Sequence, residues 1–400
     1  MGGAGGALCV PCVDGTDCGG GDVCAQLAGD TYCAKACGAI AGCPSGTGCA
    51  TVSDVAGNQV QVCAPLTDVC GPLDGQGGAA GAGGDSGAGG DSSEGGAGGS
   101  AGAAGAGGAA GGKAGAGGGS VAEMFGPDGG TLKDLKFAII GDTRPPAKND
   151  TKAYPSATIK AIWQQVEASG VPFAVTTGDY VFADTTGPAA GDQIDLYMEA
   201  RKAFKGYLFP TIGNHECTGG VASNCGPGNK DGQTAGYKAF LSKMLGPIKK
   251  DAAYYAIHVD STEGDWTAKF VIVAGNAWDA GQAKWLKAEM AKKTTYTFIV
   301  RHEPYYSDTA PGLKPSEDII SQFPYTIELV GHTHTLKHVP DHRTLIVGNG
   351  GAPLTSSVDY GYTVAHRRAS DGAIVFQSKV YKTDKVAMTF AVKPNGAVAP

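Results

Sequence analysis

The sequence lacks any apolar run long enough to cross a membrane. None of its stretches approaches 18 consecutive apolar residues, whereas a spanning helix needs about 20. A secretory signal is not visible either, because residues 1–7 contain neither a basic residue nor an apolar segment of sufficient length. We therefore expect a soluble or tethered protein without a transmembrane segment.

Basic residues are scarce at the start of the chain and form no run elsewhere. Residues 1–120 contain two Lys and no Arg against nine Asp and one Glu, a net charge of −8, and the remaining 280 residues carry 29 basic and 28 acidic side chains, a net charge of +1. This near-neutral part offers no electrostatic reason to bind along a nucleic acid backbone. We expect no nucleic acid partner and only local contacts to any bound phosphate group.

Large apolar residues are few in residues 9–70, but ten of the twelve cysteines lie there. Such a segment cannot form a sufficient core and is typical of small disulfide-rich modules on secreted and surface proteins. Zinc binding through Cys9 and Cys12 is the alternative, although the segment has no His and no repeated pair of this spacing. An internal repeat predicts two units, Cys18-x5-Cys24-x8-Cys33-x3-Cys37 and Cys43-x5-Cys49-x13-Cys63-x6-Cys70, with connectivity left open.

Disulfides form in oxidising compartments, so the cysteines favour an extracytoplasmic location, secreted or at the cell surface, in spite of the missing signal. The two remaining cysteines, Cys217 and Cys225, lie in a Gly- and Asn-rich insertion, and we expect them to close that loop. A binding or spacer role, with a surface or extracellular ligand, is the expectation for the Cys-rich module.

Residues 71–120 have almost no large apolar side chains, since 24 of these 50 residues are Gly and Leu73 is the exception. They cannot bury enough surface to offset the entropy of an ordered backbone, so we expect a disordered linker. As a random coil it would span about 40 Å. The chain is thus predicted to have three parts, which are a Cys-rich module (1–70), a linker (71–120) and a larger domain (121–400).

From residue 131 onward, short apolar runs alternate with helical periodicity. Strands are expected at 135–140, 171–177, 207–212, 254–259, 269–274, 297–300, 326–330 and 344–347, followed by three more within 362–392. Helices are expected at 156–168, with Ser156 as N-cap, and at 194–204, 235–245 and 280–292. This pattern predicts an α/β fold with two packed mixed sheets flanked by helices.

Five of the predicted strands end in a residue of a metal-ligating type. Because open α/β sheets gather functional groups at the carboxyl ends of their strands, these residues are expected to converge. Carboxylates, an amide and imidazoles together suit Mn, Fe or Zn better than Mg or Ca. The residues are Asp142, Asp179, Asn214 with His215, His302, and His332 with His334.

The ordered motifs resemble those of the calcineurin-like metallophosphoesterases, which include the purple acid phosphatases. They are Gly141-Asp142, Gly178-Asp179, Gly213-Asn214-His215-Glu216, His302 and Gly331-His332-Thr333-His334. The resemblance extends over about residues 131–392, with its motifs within about 135–350. It implies the four-layer αββα fold of that family and hydrolysis of a phosphorylated substrate, a phosphomonoester or a phosphodiester.

The resemblance also implies two divalent or trivalent metal ions, of Fe, Mn or Zn, and a role for each motif residue. The first metal site would contain Asp142, Asp179 and His334, and the second Asp179, Asn214, His302 and His332. Asp179 would bridge the two ions. His215 would stabilise the transition state or protonate the leaving oxygen, while a metal-bridging hydroxide attacks phosphorus in line.

The first site departs from the family pattern at two positions. The family has a further ligand there, a His two residues after the first Asp or a Tyr three residues after the bridging Asp, and this sequence has Arg144 and Phe182 instead. Tyr180, adjacent to Asp179, should point elsewhere. Arg144 is a candidate to hold the substrate phosphate. A surface binding protein with weak or lost activity on a phosphatase fold is therefore the alternative to an enzyme.

Overall fold

The computed structural model describes residues 10–12, 18, 22–27, 30–37, 43, 47–55, 57–65, 122–307 and 309–400. Cys9, Cys70 and the linker expected at 71–120 lie outside this part of the chain. The Cys-rich region contains five strands, namely β1 (Val10–Pro11), β2 (Asp22–Leu27), β3 (Asp30–Lys35), β4 (Thr47–Ser53) and β5 (Gln59–Pro65). Strands β2 and β3 form one antiparallel hairpin, and β4 and β5 form another.

The predicted disulfides are confirmed, but the predicted register of the repeat is wrong. Four bonds are described, Cys12–Cys24, Cys18–Cys33, Cys37–Cys49 and Cys43–Cys63. In each hairpin two cysteines lie opposite each other, Cys24 with Cys33 and Cys49 with Cys63, and each bonds to a cysteine that precedes the hairpin. Because this pairing needs two cysteines before the hairpin, each unit begins one cysteine earlier than predicted.

The second part of the chain contains fifteen strands and six helices among its described residues. Its strands are β6 (Met124–Gly126), β7 (Gly129–Leu132), β8 (Lys136–Ile140), β9 (Phe173–Thr176), β10 (Tyr207–Pro210), β11 (Tyr255–Ser261), β12 (Thr267–Ile272), β13 (Tyr296–Val300), β14 (Ile327–Val330), β15 (Leu336–Val339), β16 (Thr344–Val347), β17 (Gly361–Arg367), β18 (Ile374–Val380), β19 (Val386–Val392) and β20 (Val398–Ala399). Its helices are α1 (Ser156–Ala168), α2 (Ala189–Arg201), α3 (Asn214–Cys217), α4 (Ala235–Ala239), α5 (Ala280–Ala291) and α6 (Leu313–Ile320).

These strands form two mixed sheets, as the sequence predicts. One has seven strands in the order β10-β9-β8-β17-β18-β19-β20, and the other has eight in the order β15-β16-β14-β13-β12-β11-β7-β6. Strands β8, β9 and β10 run parallel in the first sheet, and β12, β13, β14 and β16 run parallel in the second. Each sheet therefore has a set of carboxyl strand ends at one edge.

The two sheets pack face to face through aromatic side chains. The ring of Phe137 on β8 lies 4.8 Å from that of Phe270 on β12 and 5.1 Å from that of Phe298 on β13. Successive strand residues point to opposite faces, so Phe270 is directed into the shared core while Val271 packs with Leu286 of α5 on the outer face. The α/β fold with two sheets between helical layers is confirmed.

Some elements differ from the sequence prediction. Helix α6 and strands β6, β7 and β15 were not predicted, because each is short or contains few apolar residues. Helix α2 begins and ends earlier than the predicted 194–204. Ser156 is the first residue of α1 rather than its N-cap, which is Pro155 and provides no side-chain cap. Residues 240–245 continue the predicted helix at 235–245 as a π-helix.

Candidate metal centre

The candidate site residues lie just beyond strand ends, in backbone conformations that side chains rarely adopt. Asp142, Asp179, His332 and His334 have φ angles of 55°, 60°, 71° and 46°. Left-handed residues other than glycine are strained and tend to cluster at functional sites. The strain turns each side chain out of its strand direction and towards the edge where the two sheets present their carboxyl ends.

Glycines leave room for the carboxylates at this edge. A Cβ on Gly331 would lie 2.3 Å from Oδ2 of Asp142, and a Cβ on Gly213 would lie 2.3 Å from Oδ1 of Asp179. Both distances are far below van der Waals contact, so any larger residue would displace a carboxylate. The Gly-His and Gly-Asn motifs thus serve the close approach of two strand ends.

Four electron-pair donors converge at the second site. The Nδ1–H of His302 donates to the carbonyl of Thr177 at 2.7 Å, so Nε2 is the nitrogen that faces the site, and it has a lone pair whenever the imidazole is neutral. This Nε2 lies 3.1 Å from Oδ1 of Asn214, 3.1 Å from Nδ1 of His332 and 3.2 Å from Oδ1 of Asp179. Ligands about 2.1 Å from one ion lie about 3 Å apart when they subtend a right angle at it, so the donor set fits a metal cation.

The first site has the same kind of chemistry with fewer donors. The Nδ1–H of His334 donates to the carbonyl of Pro353 at 2.8 Å, and the buried Nε2 lies 3.5 Å from Oδ1 of Asp142. Ligand atoms of Asp142, Asp179 and His334 lie within 4.8 Å of one another. Both oxygens of Asp142 also accept from the backbone N–H of His332 at 3.0 Å, which links the two sites.

Burial and charge shift the ionisation of these groups. Burial raises the pKa of the Asp142 carboxyl to about 7. Burial acts in the same direction on Asp179, but the positive charges of His302 and His215 hold its pKa well below its usual value. Burial, and then the charge of Arg144, hold the pKa of His334 well below its usual value, which favours the neutral imidazole that ligates metals.

His215 and Arg144 lie on the other side of Asp179. His302 faces Oδ1 of that carboxylate, whereas Oδ2 lies 3.9 Å from Nε2 of His215 and 3.7 Å from Nε of Arg144. The ring of Phe182 packs 4.9 Å from the guanidinium carbon of Arg144 and 4.8 Å from the imidazole of His215. The structure therefore brings all eight predicted site residues into one cluster.

Tyr180 points away from the site, as expected. Its buried hydroxyl donates to the carbonyl of Thr211 at 3.0 Å and lies 2.5 Å from the hydroxyl of Thr176. These contacts place the phenol in the core between the sheet and α2, where its ring packs on Tyr197. Tyr180 therefore does not replace the tyrosine ligand that the family pattern has at the position of Phe182.

Glu216 holds two of the motifs together, a role that was not assigned from the sequence. Its buried carboxylate accepts from the backbone N–H groups of Asp179, Tyr180, Val181 and Gly213 at 2.7–3.1 Å. The turns that carry Asp179 and Asn214 are thereby fixed relative to each other. The available signal was the position of Glu216 in the Gly-Asn-His-Glu motif.

Glu303 is a second residue that sequence reasoning missed. Its side chain is buried, and one carboxylate oxygen lies within 4.8 Å of ligand atoms of His302 and His332. The hydroxyl of Thr309 donates to the same carboxylate at 3.4 Å. The signal was its position directly after His302 at the end of β13.

The predicted disulfide between Cys217 and Cys225 is confirmed. It joins the last residue of α3, the short helix that carries Asn214 and His215, to the loop that follows it. None of the helices in the described part of the chain combines the length and apolar character that a membrane span needs.

Comparison with known proteins shows a family. The family model described as calcineurin-like phosphoesterase matches residues 135–336, just over half of the 400-residue chain. No curated protein sequence matches the chain.

Several solved structures have a related architecture. GAP50, the anchor in the inner membrane complex of Plasmodium, is 19% identical over 66% of this chain and 90% of its own, with a TM-score of 0.46. A purple acid phosphatase from yellow lupin (Lupinus luteus) seeds is 13% identical over 65% of this chain and 54% of its own, with a TM-score of 0.48. A dimetal phosphatase from Danio rerio is 12% identical over 65% of this chain and 99% of its own, with a TM-score of 0.45. At these scores, none of the likenesses bears on whether the chain has an activity.

Proposed function

Because the chain belongs to the calcineurin-like phosphoesterase family, we propose that it is a metal-dependent hydrolase of phosphate esters. The observation that carries this proposal is the convergence of three donor atoms on Nε2 of His302, which are Oδ1 of Asn214, Nδ1 of His332 and Oδ1 of Asp179. A hydrogen bond to a carbonyl directs Nε2 of His302 at the other donors. Burial lowers the pKa of this imidazole, but the charge of Asp179 raises it well above its usual value, so the group attracts a positive charge, either a proton or a metal ion. Such a group of acceptors is stabilised by a cation.

The ligand types support Mn, Fe or Zn as the ion. When bound, it supplies Lewis acidity towards a phosphoryl oxygen and lowers the pKa of coordinated water. Three donors at the first site and four at the second are the sets available to the two ions that the sequence predicts.

The protein side chains around Asp179 have distinct tasks in this proposal. His215, outside the ligand sets, holds a proton at Nε2 for the leaving oxygen of the substrate. Arg144 offers its guanidinium to a phosphate oxygen, and Phe182 packs against both side chains and keeps them in position. Asn214 ligates through its carbonyl oxygen.

We propose an extracytoplasmic location, supported by the five disulfides that are described. The division into module, linker and catalytic domain is proposed with it. A ligand for the Cys-rich module stays a prediction.

The test is hydrolysis of p-nitrophenyl phosphate and bis(p-nitrophenyl) phosphate by the chelator-treated full chain, with Mn, Fe or Zn added back. We expect metal-dependent release of nitrophenol, abolished in His302→Ala and kept in the control His258→Ala, whose imidazole pairs with Glu289 away from the site. Relative rates on the two compounds separate monoesterase from diesterase activity.

A second candidate is a surface binding protein that retains the fold without turnover. The observation that favours it is the presence of Arg144 and Phe182 where the family pattern has ligands. Metal binding and phosphate binding without hydrolysis of either compound, under every metal tested, would support this candidate and contradict the enzyme.

A further inference from the structure

The two halves of the metal centre carry extra charges of opposite sign. Beside the second site lies Glu303, whose side chain is buried and whose carboxylate is within 4.8 Å of ligand atoms of His302 and His332. Beside the first site lies Arg144, also buried, with Nε 3.7 Å from Oδ2 of Asp179. The second site therefore gains a negative charge and the first site a positive one.

Arg144 is held in place rather than free to swing into solvent. Only 5% of its surface is exposed, and its guanidinium carbon lies 4.9 Å from the ring centroid of Phe182. That distance is typical of a cation–π contact. Phe182 itself packs edge-on against His215, so the ring and the guanidinium form one fixed wall of the first site.

Two features weaken the binding of an ion at the first site, the small number of donors and the nearby guanidinium. A cation there has three protein donors, Asp142, Asp179 and His334, and shares Asp179 with the second site. It would also lie close to a guanidinium whose Nε already faces Oδ2 of Asp179. Repulsion between a divalent ion and a unit charge about 5 Å apart, at an effective dielectric constant of about 20, amounts to almost five orders of magnitude in affinity before the nearby carboxylates offset part of it.

We propose that the protein binds one ion tightly at the second site, with Glu303 as an additional carboxylate, and that the guanidinium of Arg144 takes the place of a second tightly bound ion. The inference rests on the proposed function for the assignment of Asn214, His302 and His332 as ligands. A substrate phosphate would then meet an ion on one side and a guanidinium on the other. These are the two positive poles that two ions would otherwise supply.

Metal stoichiometry of the full chain tests the proposal without any substrate. Chelator-treated protein is titrated with Mn²⁺, bound ion is counted by equilibrium dialysis, and the electron paramagnetic resonance spectrum is recorded. We expect one tight ion with the spectrum of an isolated Mn²⁺. Arg144→His removes the guanidinium and adds an imidazole, and should bind two ions with a spin-coupled spectrum and a second-ion affinity at least about 100-fold higher.

Arg144→Met, which removes the charge and adds no ligand, should raise the second-ion affinity by a smaller factor. The matched control is Arg368→Met, because Arg368 pairs with Asp371 at an exposed position and should not affect the count. The Glu303→Gln variant should still bind one ion, with an affinity about tenfold lower. An unchanged affinity would remove Glu303 from the proposal.

Two ions of similar affinity in the unmodified chain, with a spin-coupled spectrum, would overturn the proposal even if every Arg144 variant failed to fold. The outcome is separate from the proposed function. If the protein binds one ion and hydrolyses neither nitrophenyl compound, this inference is supported and the proposed enzymatic function is contradicted. An active protein with two equivalent ions does the reverse.

Discussion

The histidines of the centre differ in what their ring nitrogens face, and this difference predicts different losses on mutation. His302→Ala removes a metal-ligating nitrogen from the second site, so metal content and activity should both be lost. The same loss is expected for Asn214→Ala and for His332→Ala. His215→Ala removes a group that lies 3.9 Å from the carboxylate of Asp179 outside the ligand sets. It should keep its metal and lose about 10²–10⁴-fold in kcat.

Elemental analysis and steady-state kinetics on the same preparations check this prediction, with circular dichroism to confirm the fold. A His215→Ala protein with normal turnover would remove that residue from the reaction. A His302→Ala protein with full metal content would place the ion elsewhere.

The first site lacks the phenol hydroxyl that could bind a ferric ion as a tyrosinate. Phe182 has no hydroxyl, and that of Tyr180 is bonded within the core. Iron-loaded protein should therefore lack an intense visible charge-transfer band. Phe182→Tyr should introduce one if an iron occupies the first site, and absorption spectroscopy distinguishes the two. A purple unmodified protein would mean that another tyrosine has moved into the site.

Asp142 predicts a pH dependence of stability when metal is removed by chelator. Burial raises the pKa of its carboxyl from 3.8 to about 7, so the folded state binds its proton more tightly than the unfolded state. The contribution of Asp142 to the free energy of unfolding is then fully present below about pH 4, and it is lost as the pH rises to about 7. The melting temperature with chelator should fall between pH 5 and pH 7.5.

Asp142→Asn cannot titrate and serves as the control, since its melting temperature should fall less over the same range. A bound ion favours the ionised carboxylate, so saturating metal should remove or reverse the trend. Equal pH profiles for the two proteins with chelator would contradict the assignment.

At the scale of elements, α3 is a four-residue helix that depends on its surroundings for its position. Glu216 fixes its first turn to Asp179, and the Cys217–Cys225 disulfide fixes its end to the following loop. Four residues are too few to form a stable helix alone. The geometry of Asn214 and His215 is therefore imposed by these contacts rather than by helix propensity.

Replacing both Cys217 and Cys225 with Ser should lower the free energy of unfolding by about 2 kcal/mol, the value for closure of a loop this short. Because α3 carries a proposed ligand and the proposed proton donor, kcat should fall more than metal affinity. Denaturant unfolding and kinetics measure both effects. Unchanged kcat in a destabilised variant would show that Glu216 alone positions the helix.

At the scale of the whole molecule, the described apolar side chains of the Cys-rich region and of the second part form separate clusters. Among the described residues, its main hydrophobic cluster contains only residues from Leu132 onward, whereas Ala25, Tyr32, Ala34 and Val62 form a cluster of their own. Residues 121–400 expressed alone should therefore fold and hydrolyse substrate as fast as the full chain. An insoluble or inactive fragment would contradict the proposed domain division.

The composition of the predicted linker makes a related prediction for proteolysis. Lys113 is the basic residue within 71–120, so brief trypsin treatment should cut there first and release two resistant parts. Mass spectrometry identifies the products. First cleavage within residues 122–400 would show that this segment is protected.

The sequence alone predicted the fold class and eight residues that lie together in the structure, because both depend on local signals. Buried strands show as apolar runs, and Gly-Asp, Gly-Asn-His and Gly-His-Thr-His each mark a strand end that carries a polar side chain. Helix α6 and strand β15 could not be predicted, because short elements with few apolar residues are stabilised by packing rather than by their own pattern.

Tertiary structure decided everything that depends on partners distant in sequence. The carbonyls of Thr177 and Pro353 select which nitrogens of His302 and His334 face the site, and they lie 125 and 19 residues away. Disulfide pairing followed from which cysteines lie opposite each other in the hairpins. The opposite charges of Glu303 and Arg144 matter because the two side chains lie beside different sites. Contacts between strand ends produce this arrangement, and the separation of the residues along the chain does not reveal it.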